Sequence, residues 1–396
     1  MTLKPPYKIP PMADLMRRPW NGLTVASTFS GCGGSCLGYR MAGYQVLWAN
    51  EFMPAAQETY RANFPTTHLD GRDIKEVQPE EILEITGPID IFDGSPPCQA
   101  FSMINQKTRM KGKSKKYANG VEQQNEQMFF EYIRLLKGLQ PKVFIAENVK
   151  GLTMGSAKDL MGDEQMDMLV DQSGTILHGL MDCGYRVQHQ ILNSENFGVP
   201  QTRKRVIFIG VRRDLGLEPV FPKKLPWVYT VRDAIPWIEN VHMGHGVYKA
   251  AAAVPSPTII TEPRNNPLQN FGGGYGFVEA SSLIGTCLDK EWDKLTINGE
   301  WSDKYFSMAK ANPEKPCPTI CSSGGAGRGT ATIVHPYEKR KFTIPELKRI
   351  CGFPDDFIFT GTFAEQWERL GNCVTPPLMA SIAGNLRREV FGKLCQ

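Results

Sequence analysis

The sequence predicts an α/β fold, a mostly parallel sheet joined to a smaller irregular region. Three observations predict it. Over the first 210 residues, short apolar runs alternate with helix-like periodicity. Those runs end in glycine-rich or polar turns, as strands do at the ligand edge of an open α/β sheet. From about residue 222 to 338 the regular pattern gives way to Gly, Pro, Asn and Ser with short irregular strands, and it returns after about residue 340.

The elements follow in order. Residues 1–21 form a Pro-rich, loosely ordered lead-in. Leu23 to Phe29 is an apolar run ending in SGCGG, and Ser35 to Ala42 starts a helix. Tyr44 to Ala49 is a second run, ending in Asn50-Glu51. Ile89 to Phe92 is a third, ending in DGSPPC. Glu126 to Leu139 has helical periodicity, with Phe129, Ile133 and Leu136 on one side. Val143 to Ala146 is a strand ending in ENV, and Tyr185 to Leu192 and Val206 to Val211 complete the sheet. A helix from Ile344 to Cys351 and another from Pro377 to about Val390 close the chain. The expected organisation is a large domain over 22–221, a smaller one over 222–338, and a return to the large domain over 339–396.

Composition narrows the classes. A chain of 396 residues suits one large domain plus a smaller one. Hydrophobic content of 41% and charged content of 22% are those of a globular protein with a sizeable core. Without a stretch of 18 apolar residues, no membrane span is expected. The N-terminus has no uninterrupted apolar core, so no secretory signal is expected, and ten scattered cysteines suit a reducing, cytoplasmic compartment. The Cys32/Cys36 and Cys317/Cys321 pairs lie in Gly-rich turns, and no metal is expected. Net charge is +4. Lys107, Arg109, Lys111, Lys113, Lys115 and Lys116 crowd one segment, either as a solvated loop or as phosphate contacts.

The turns carry the chemistry. In Phe29-Ser30-Gly31-Cys32-Gly33-Gly34, glycines allow a sharp turn and close approach to a ligand, although a plain strand-to-helix turn has the same look. The run is not G-x-G-x-x-G and lacks a Gly-Lys-Ser/Thr, which disfavours a dinucleotide or ATP. Glu51, some 20 residues on, suits ribose hydroxyls, and Asp73 suits an adenine amino group. With no base at the loop, the series points to an adenosine ligand without phosphates, of which S-adenosylmethionine is the common one. Pro96-Pro97 fixes the backbone before Cys98 and presents that thiol at a strand's carboxyl end. The choice lies between a buried structural cysteine and a nucleophile, and the rigid turn favours the nucleophile. Glu147 is placed to hydrogen-bond or protonate an electrophilic ring, unless Asn148 merely caps a helix. Strand alternation puts Gln201, Arg203 and Arg205 on one face, where arginines clamp phosphate or a carbonyl oxygen.

These residues resemble the DNA (cytosine-5) methyltransferase family of restriction-modification type. The resemblance rests on FSGCGG (29–34), NE (50–51), RDI (72–74), GSPPCQ (94–99), ENV (147–149), QTRKR (201–205), RKFTIPELKRICGFP (340–354) and GNCVTPP (371–377), and spans roughly 24 to 390. It implies a Rossmann-like, S-adenosylmethionine-dependent methyltransferase with a target-recognition domain at 222–338. Phe29, Gly31, Gly33, Gly34, Glu51, Phe52, Asp73, Ile74, Pro96, Asn372 and Val374 are then cofactor residues. Cys98 is the nucleophile toward carbon 6 of a flipped cytosine, Glu147 and Arg205 hold the base, and Arg203 supports the site. Gln99, Ser102, Lys107, Arg109, Lys111, Lys113, Gln201, Arg264, Asn265 and Arg328 are expected at double-stranded DNA, with Asn266 and Gln269 as further base readers. A monomer is expected, with a cognate restriction endonuclease acting separately. Cys373 stands where alanine is common, and Asn125 departs from the usual charged residue. An RNA methyltransferase of the same fold, a non-catalytic DNA-binding relative and a dinucleotide oxidoreductase are the competing readings. The long variable region, the intact Cys98, Glu147 and arginines, and the absence of G-x-G-x-x-G weigh against each in turn.

Overall fold

The computed structural model describes residues 3–97, 128–149, 173–239 and 281–394. It gives the backbone alone at 115–116, 122–123, 149 and 173–175. Seven strands form the main sheet: β1 (Thr24–Thr28), β2 (Gln45–Asn50), β3 (His68–Asp70), β4 (Ile91–Gly94), β7 (Val143–Val149), β8 (Tyr185–Asn193) and β9 (Lys204–Arg212). Their order is β3-β2-β1-β4-β7-β9-β8. All pairs up to β4–β7 are parallel, whereas β9 runs antiparallel to both β7 and β8. Between β4 and β7, the backbones of β5 (Lys115–Lys116) and β6 (Glu122–Gln123) form a short antiparallel pair.

Strand alternation explains why the sheet is buried on both sides. Val25, Ile91, Val143, Ile145, Ile207 and Ile209 enter one core with helices α2 (Gly34–Met41), α9 (Ile344–Cys351), α10 (Phe363–Asn372) and α11 (Pro376–Leu386). Their neighbours Ala26, Phe92, Phe144, Ala146, Val206 and Phe208 enter the other, with α4 (Pro79–Thr86), α5 (Met128–Leu139) and α6 (Ser173–Asp182). Helix α3 (Pro54–Asn63) adds Tyr60 to the first layer. Near-continuous apolar runs are what a two-sided parallel sheet requires, and they made these strands readable.

The region 222–338 does not part from the main body at one boundary. Val231, Ala234, Ile235 and Ile238, from α7 (Val231–Ala234) and the residues after it, belong to the large core, as do Cys317 and Ile320. A small separate core joins Leu283, Leu288, Leu295, Met308 and Val334. Around it lie α8 (Asp289–Lys294) and two two-residue strands, β10 (Ala309–Lys310) and β11 (Ile333–Val334). Polar links supplement so small a core. The Lys310 ammonium sits 3.5 Å from the Trp292 ring centroid, and Arg340 grips Glu346 through two 2.8 Å bonds. Burial would raise the Glu346 carboxyl, but the Arg340 guanidinium overrides it and holds the group at about 2.

The lead-in is not loose, which corrects the sequence expectation. Helix α1 (Met12–Arg17) buries Met12 and Leu15 in the large core. The Met12 N–H donates to Asp356 Oδ1 at 2.8 Å, the Tyr7 hydroxyl to the Arg349 carbonyl at 2.6 Å, and Lys4 pairs with Asp233 at 2.7 Å. Proline content suggested disorder, but the apolar and aromatic anchors between the prolines outweigh it.

Candidate active site

The turn after β1 is built from left-handed backbone. Phe29, Gly31 and Gly33 have φ of 52°, 55° and 87°, which reverses the chain into α2 at a conformational cost that only glycine avoids. The glycines divide the work. A Cβ on Gly33 would lie 2.4 Å from the Phe64 ring, and one on Gly34 would lie 2.3 Å from the Val374 carbonyl oxygen. Both are therefore packing glycines, buried against α3 and the turn before α11. Gly31 differs, because a Cβ there would meet nothing within 4 Å. Its N–H donates to Glu51 Oε2 at 2.7 Å, and the Met53 N–H donates to Oε1 at 2.7 Å. Burial pushes the Glu51 carboxyl up, and these two backbone donors, with the Arg369 charge, oppose that.

An open space before Gly31, flanked by an anchored carboxylate with lone pairs to spare, fits an adenosine ribose. Phe52, next to Glu51 in sequence, and Asp73 are half-buried, and Asp73 Oδ1 accepts the Lys75 N–H at 3.1 Å. The Ile74 side chain is 1% exposed and packs in the core with α5, which leaves its backbone to meet a ligand. Val374 is buried, and Asn372 is exposed at the end of α10.

Asp93, at the end of β4, was not foreseen as a site residue. It accepts from Ser27 Oγ at 3.0 Å, Ser35 Oγ at 2.7 Å and Tyr39 Oη at 3.1 Å. Ser27 and Asp93 are paired in register across β1 and β4. The carboxyl thus ties the cofactor turn to the segment leading into Pro96-Pro97. Burial pushes it up to about 6 against the three hydroxyl donors, with the Glu147 charge adding to the rise. A signal existed: Ser27 and Asp93 are polar residues at equivalent places in two apolar runs.

The second half of the site lies on β7 and β9. Asn148 Nδ2 donates to the Pro96 carbonyl at 3.0 Å, so β7 fixes the Pro-Pro turn. Glu147 Oε1 lies 2.9 Å from Arg205 Nε. Burial and the nearby Arg203 charge pull the Arg205 guanidinium down to about 10, opposed by Glu147, so Arg205 is charged at neutral pH. Arg203 is 2% exposed and braces its surroundings, donating through Nη2 to the Gly371 carbonyl at 2.9 Å and through Nη1 to Ile320 at 3.4 Å.

Gln201 corrects two expectations. It is wholly buried rather than DNA-facing, bridges Cys317 and donates to Cys351 Sγ at 3.2 Å. Moreover, β9 begins only at Lys204, so Gln201, Arg203 and Arg205 do not share one strand face. Arg328 is exposed, with Nη2 donating to the Ile284 carbonyl at 2.8 Å. Cys98, Gln99, Ser102, Lys107, Arg109, Lys111, Lys113, Arg264, Asn265, Asn266 and Gln269 lie outside the described residues.

A glycine turn and a backbone-anchored carboxylate at one edge of an α/β sheet, beside a Pro-Pro turn and a buried Glu–Arg pair, suit a Rossmann-like, S-adenosylmethionine-dependent methyltransferase. Residues 23–388 match the family described as C-5 cytosine-specific DNA methylase. The chain is 30% identical over 383 residues to the type II methyltransferase M.NgoPII of Neisseria gonorrhoeae, covering 94% of this chain and 97% of that one. It is 31% identical over 363 residues to M.NgoFVII of the same organism, covering 91% and 86%. Among solved structures, a putative DNA modification methyltransferase encoded within an E. coli prophage aligns with a TM-score of 0.64 and 24% identity, over 93% of this chain and all of that one. Spodoptera frugiperda DNMT2 aligns at 0.56 and 16%, over 95% and 100%, a likeness of fold alone.

The chain belongs to the C-5 cytosine-specific DNA methylase family. It is a DNA (cytosine-5) methyltransferase that uses S-adenosylmethionine. No helix among the described residues is long and apolar enough to cross a membrane.

Proposed function

We propose the following roles for the residues of this enzyme. Gly31, Glu51, Phe52 and Asp73 hold the cofactor, with the Asn372–Val374 turn closing over it, and the cofactor supplies an electrophilic methyl group. Cys98 is the nucleophile. Its thiolate bonds to carbon 6 of a flipped cytosine, and the electrons of the 5,6 double bond move to carbon 5. Glu147 donates a proton or hydrogen bond to ring nitrogen 3 and accepts from the exocyclic amine, while Arg205 binds the carbonyl oxygen. After methylation, loss of the carbon-5 proton and expulsion of the Cys98 sulfur restore the ring. The observation that carries this reading is the 2.9 Å Glu147–Arg205 pair on the strand whose Asn148 also fixes the turn into Cys98.

The region 222–338 reads the sequence, with Arg264, Asn265 and Arg328 at base edges or phosphates. Gln99, Ser102, Lys107, Arg109, Lys111 and Lys113 contact the DNA near the nucleophile. The names of the relatives support a type II restriction-modification role, and we read the enzyme as a cytoplasmic monomer with a separate cognate endonuclease. Mass spectrometry of nucleosides from unmethylated DNA and from RNA, incubated with enzyme and S-adenosylmethionine, tests the reading. 5-Methylcytosine in DNA alone is expected, and modification confined to RNA would reassign the substrate.

A further inference from the structure

Among the described residues, Lys341 is a buried cation with no acid beside it. Its side chain is fully buried, and Nζ donates to two backbone carbonyls, those of Gly324 and Gly327. Burial pulls the ammonium down to about 8, and no carboxylate among the described residues counters this. Such burial is costly unless the charge is used, and a methionine would fill the same space without that cost. What the ammonium adds is direction. It draws two carbonyls three residues apart to one point and so closes the Gly324–Gly327 turn. Glycine-rich backbone is the part of a chain least able to hold its own shape. Beneath it lies Trp367, against which Gly324 and Gly325 pack too closely to admit a Cβ.

This turn sits in a segment tied down at its start and exposed at its far end. At its start, Cys317 exchanges backbone hydrogen bonds with the catalytic side: its N–H donates to Pro200 at 2.9 Å, and the Thr202 N–H donates to its carbonyl at 2.8 Å. Arg203, next but one to the base-binding Arg205, reaches Ile320 in the same segment. At the far end Arg328 emerges exposed.

We propose that Lys341 is a positioning residue for site recognition: by closing the Gly324–Gly327 turn, it fixes Arg328 on the DNA-reading surface relative to Arg203 and Arg205 at the target base. The proposal rests on the reading of Arg328 as a DNA contact.

The test follows methylation of unmethylated plasmid DNA by bisulfite sequencing over time. It compares the rate at the preferred site with rates at sites differing by one base pair. K341M is expected to lower that ratio about tenfold while S-adenosylmethionine affinity stays within twofold, and K341R is expected to restore most of the ratio. R328A should relax the same positions, and K341M/R328A should relax them no further, because residues acting through one element are not additive. An unchanged ratio in K341M, or full additivity with R328A, would overturn the proposal. If K341M does not fold, K341Q reads the same ratio, and failure of both to fold would make Lys341 a folding residue instead. Wild-type enzyme with site preference and R328A without effect would sink the Arg328 reading, separately from any result with K341M alone.

Discussion

The main sheet and the region 222–338, proposed above as the recognition region, are held together by different means. In the sheet, β7 and β9 pair over seven residues with both faces buried, so a side chain at a strand end is placed by many apolar contacts at once. In the described part of the recognition region the strands have two residues each and the private core only a handful of members. Polar anchors add to it: Lys341, from the segment that follows, on two carbonyls, and Lys310 over Trp292. The difference teaches what each part has to do. Bond-making at one ring atom needs a frame that does not yield. Reading a sequence needs a surface whose loops are fixed one by one and exchanged without disturbing that frame.

Substitutions that break this comparison rank by the stiffness of what they touch. The largest effect is expected from C98S, which should cut methyl transfer to below about a thousandth of the wild-type rate by removing the thiolate, with cofactor binding by calorimetry unchanged. Retained turnover would mean that the frame presents some other nucleophile. E147Q comes next, with a kcat loss of about 10²- to 10³-fold. Cofactor affinity is expected to hold, since Glu147 sits on the base side of the sheet edge.

Asp93 allows a test of the frame itself through pH. Its carboxyl is raised from 3.8 to about 6 in the folded protein, so the native state holds this proton more tightly than the unfolded chain. Stability from this site is therefore full below about pH 4 and falls as pH rises through about 6, by on the order of 3 kcal/mol. Urea unfolding between pH 4.5 and 6.5 should show that fall in the wild type and a flatter profile in D93N. Equal profiles would place the carboxyl outside the buried hydroxyl cage. The smallest effect sharpens the comparison from the other side. R328A should leave the melting temperature within about 2 °C, as for a surface substitution, and weaken discrimination at one base position by about 1–3 kcal/mol, read from relative methylation rates.

How much was legible follows the same division. Strands buried on both faces announce themselves as apolar runs, and helix α9 was bounded correctly because a capping Thr343 and a terminal Gly352 bracket it. Strand β3 was not recognised, because His68–Asp70 contains one apolar residue in three. The motifs around Phe29, Glu51, Pro96 and Glu147 could be singled out because each ends a readable run. Asp93 was overlooked as a site residue because its meaning depends on register with Ser27, which one strand cannot reveal. Gln201 was misplaced because alternation was extended backward past the true start of β9. Lys341 defied pattern altogether, since nothing in a sequence marks a lysine for the interior.

The contact between Gly34 and the Val374 carbonyl has a consequence in time. These residues lie near opposite ends of the chain, as do the packed helices α2 and α11. While the protein is being synthesised, the ribosome releases the glycine turn first and its wall more than three hundred residues later. A nascent chain therefore carries an unfinished cofactor cleft until α11 has emerged, and methylating competence arrives only then.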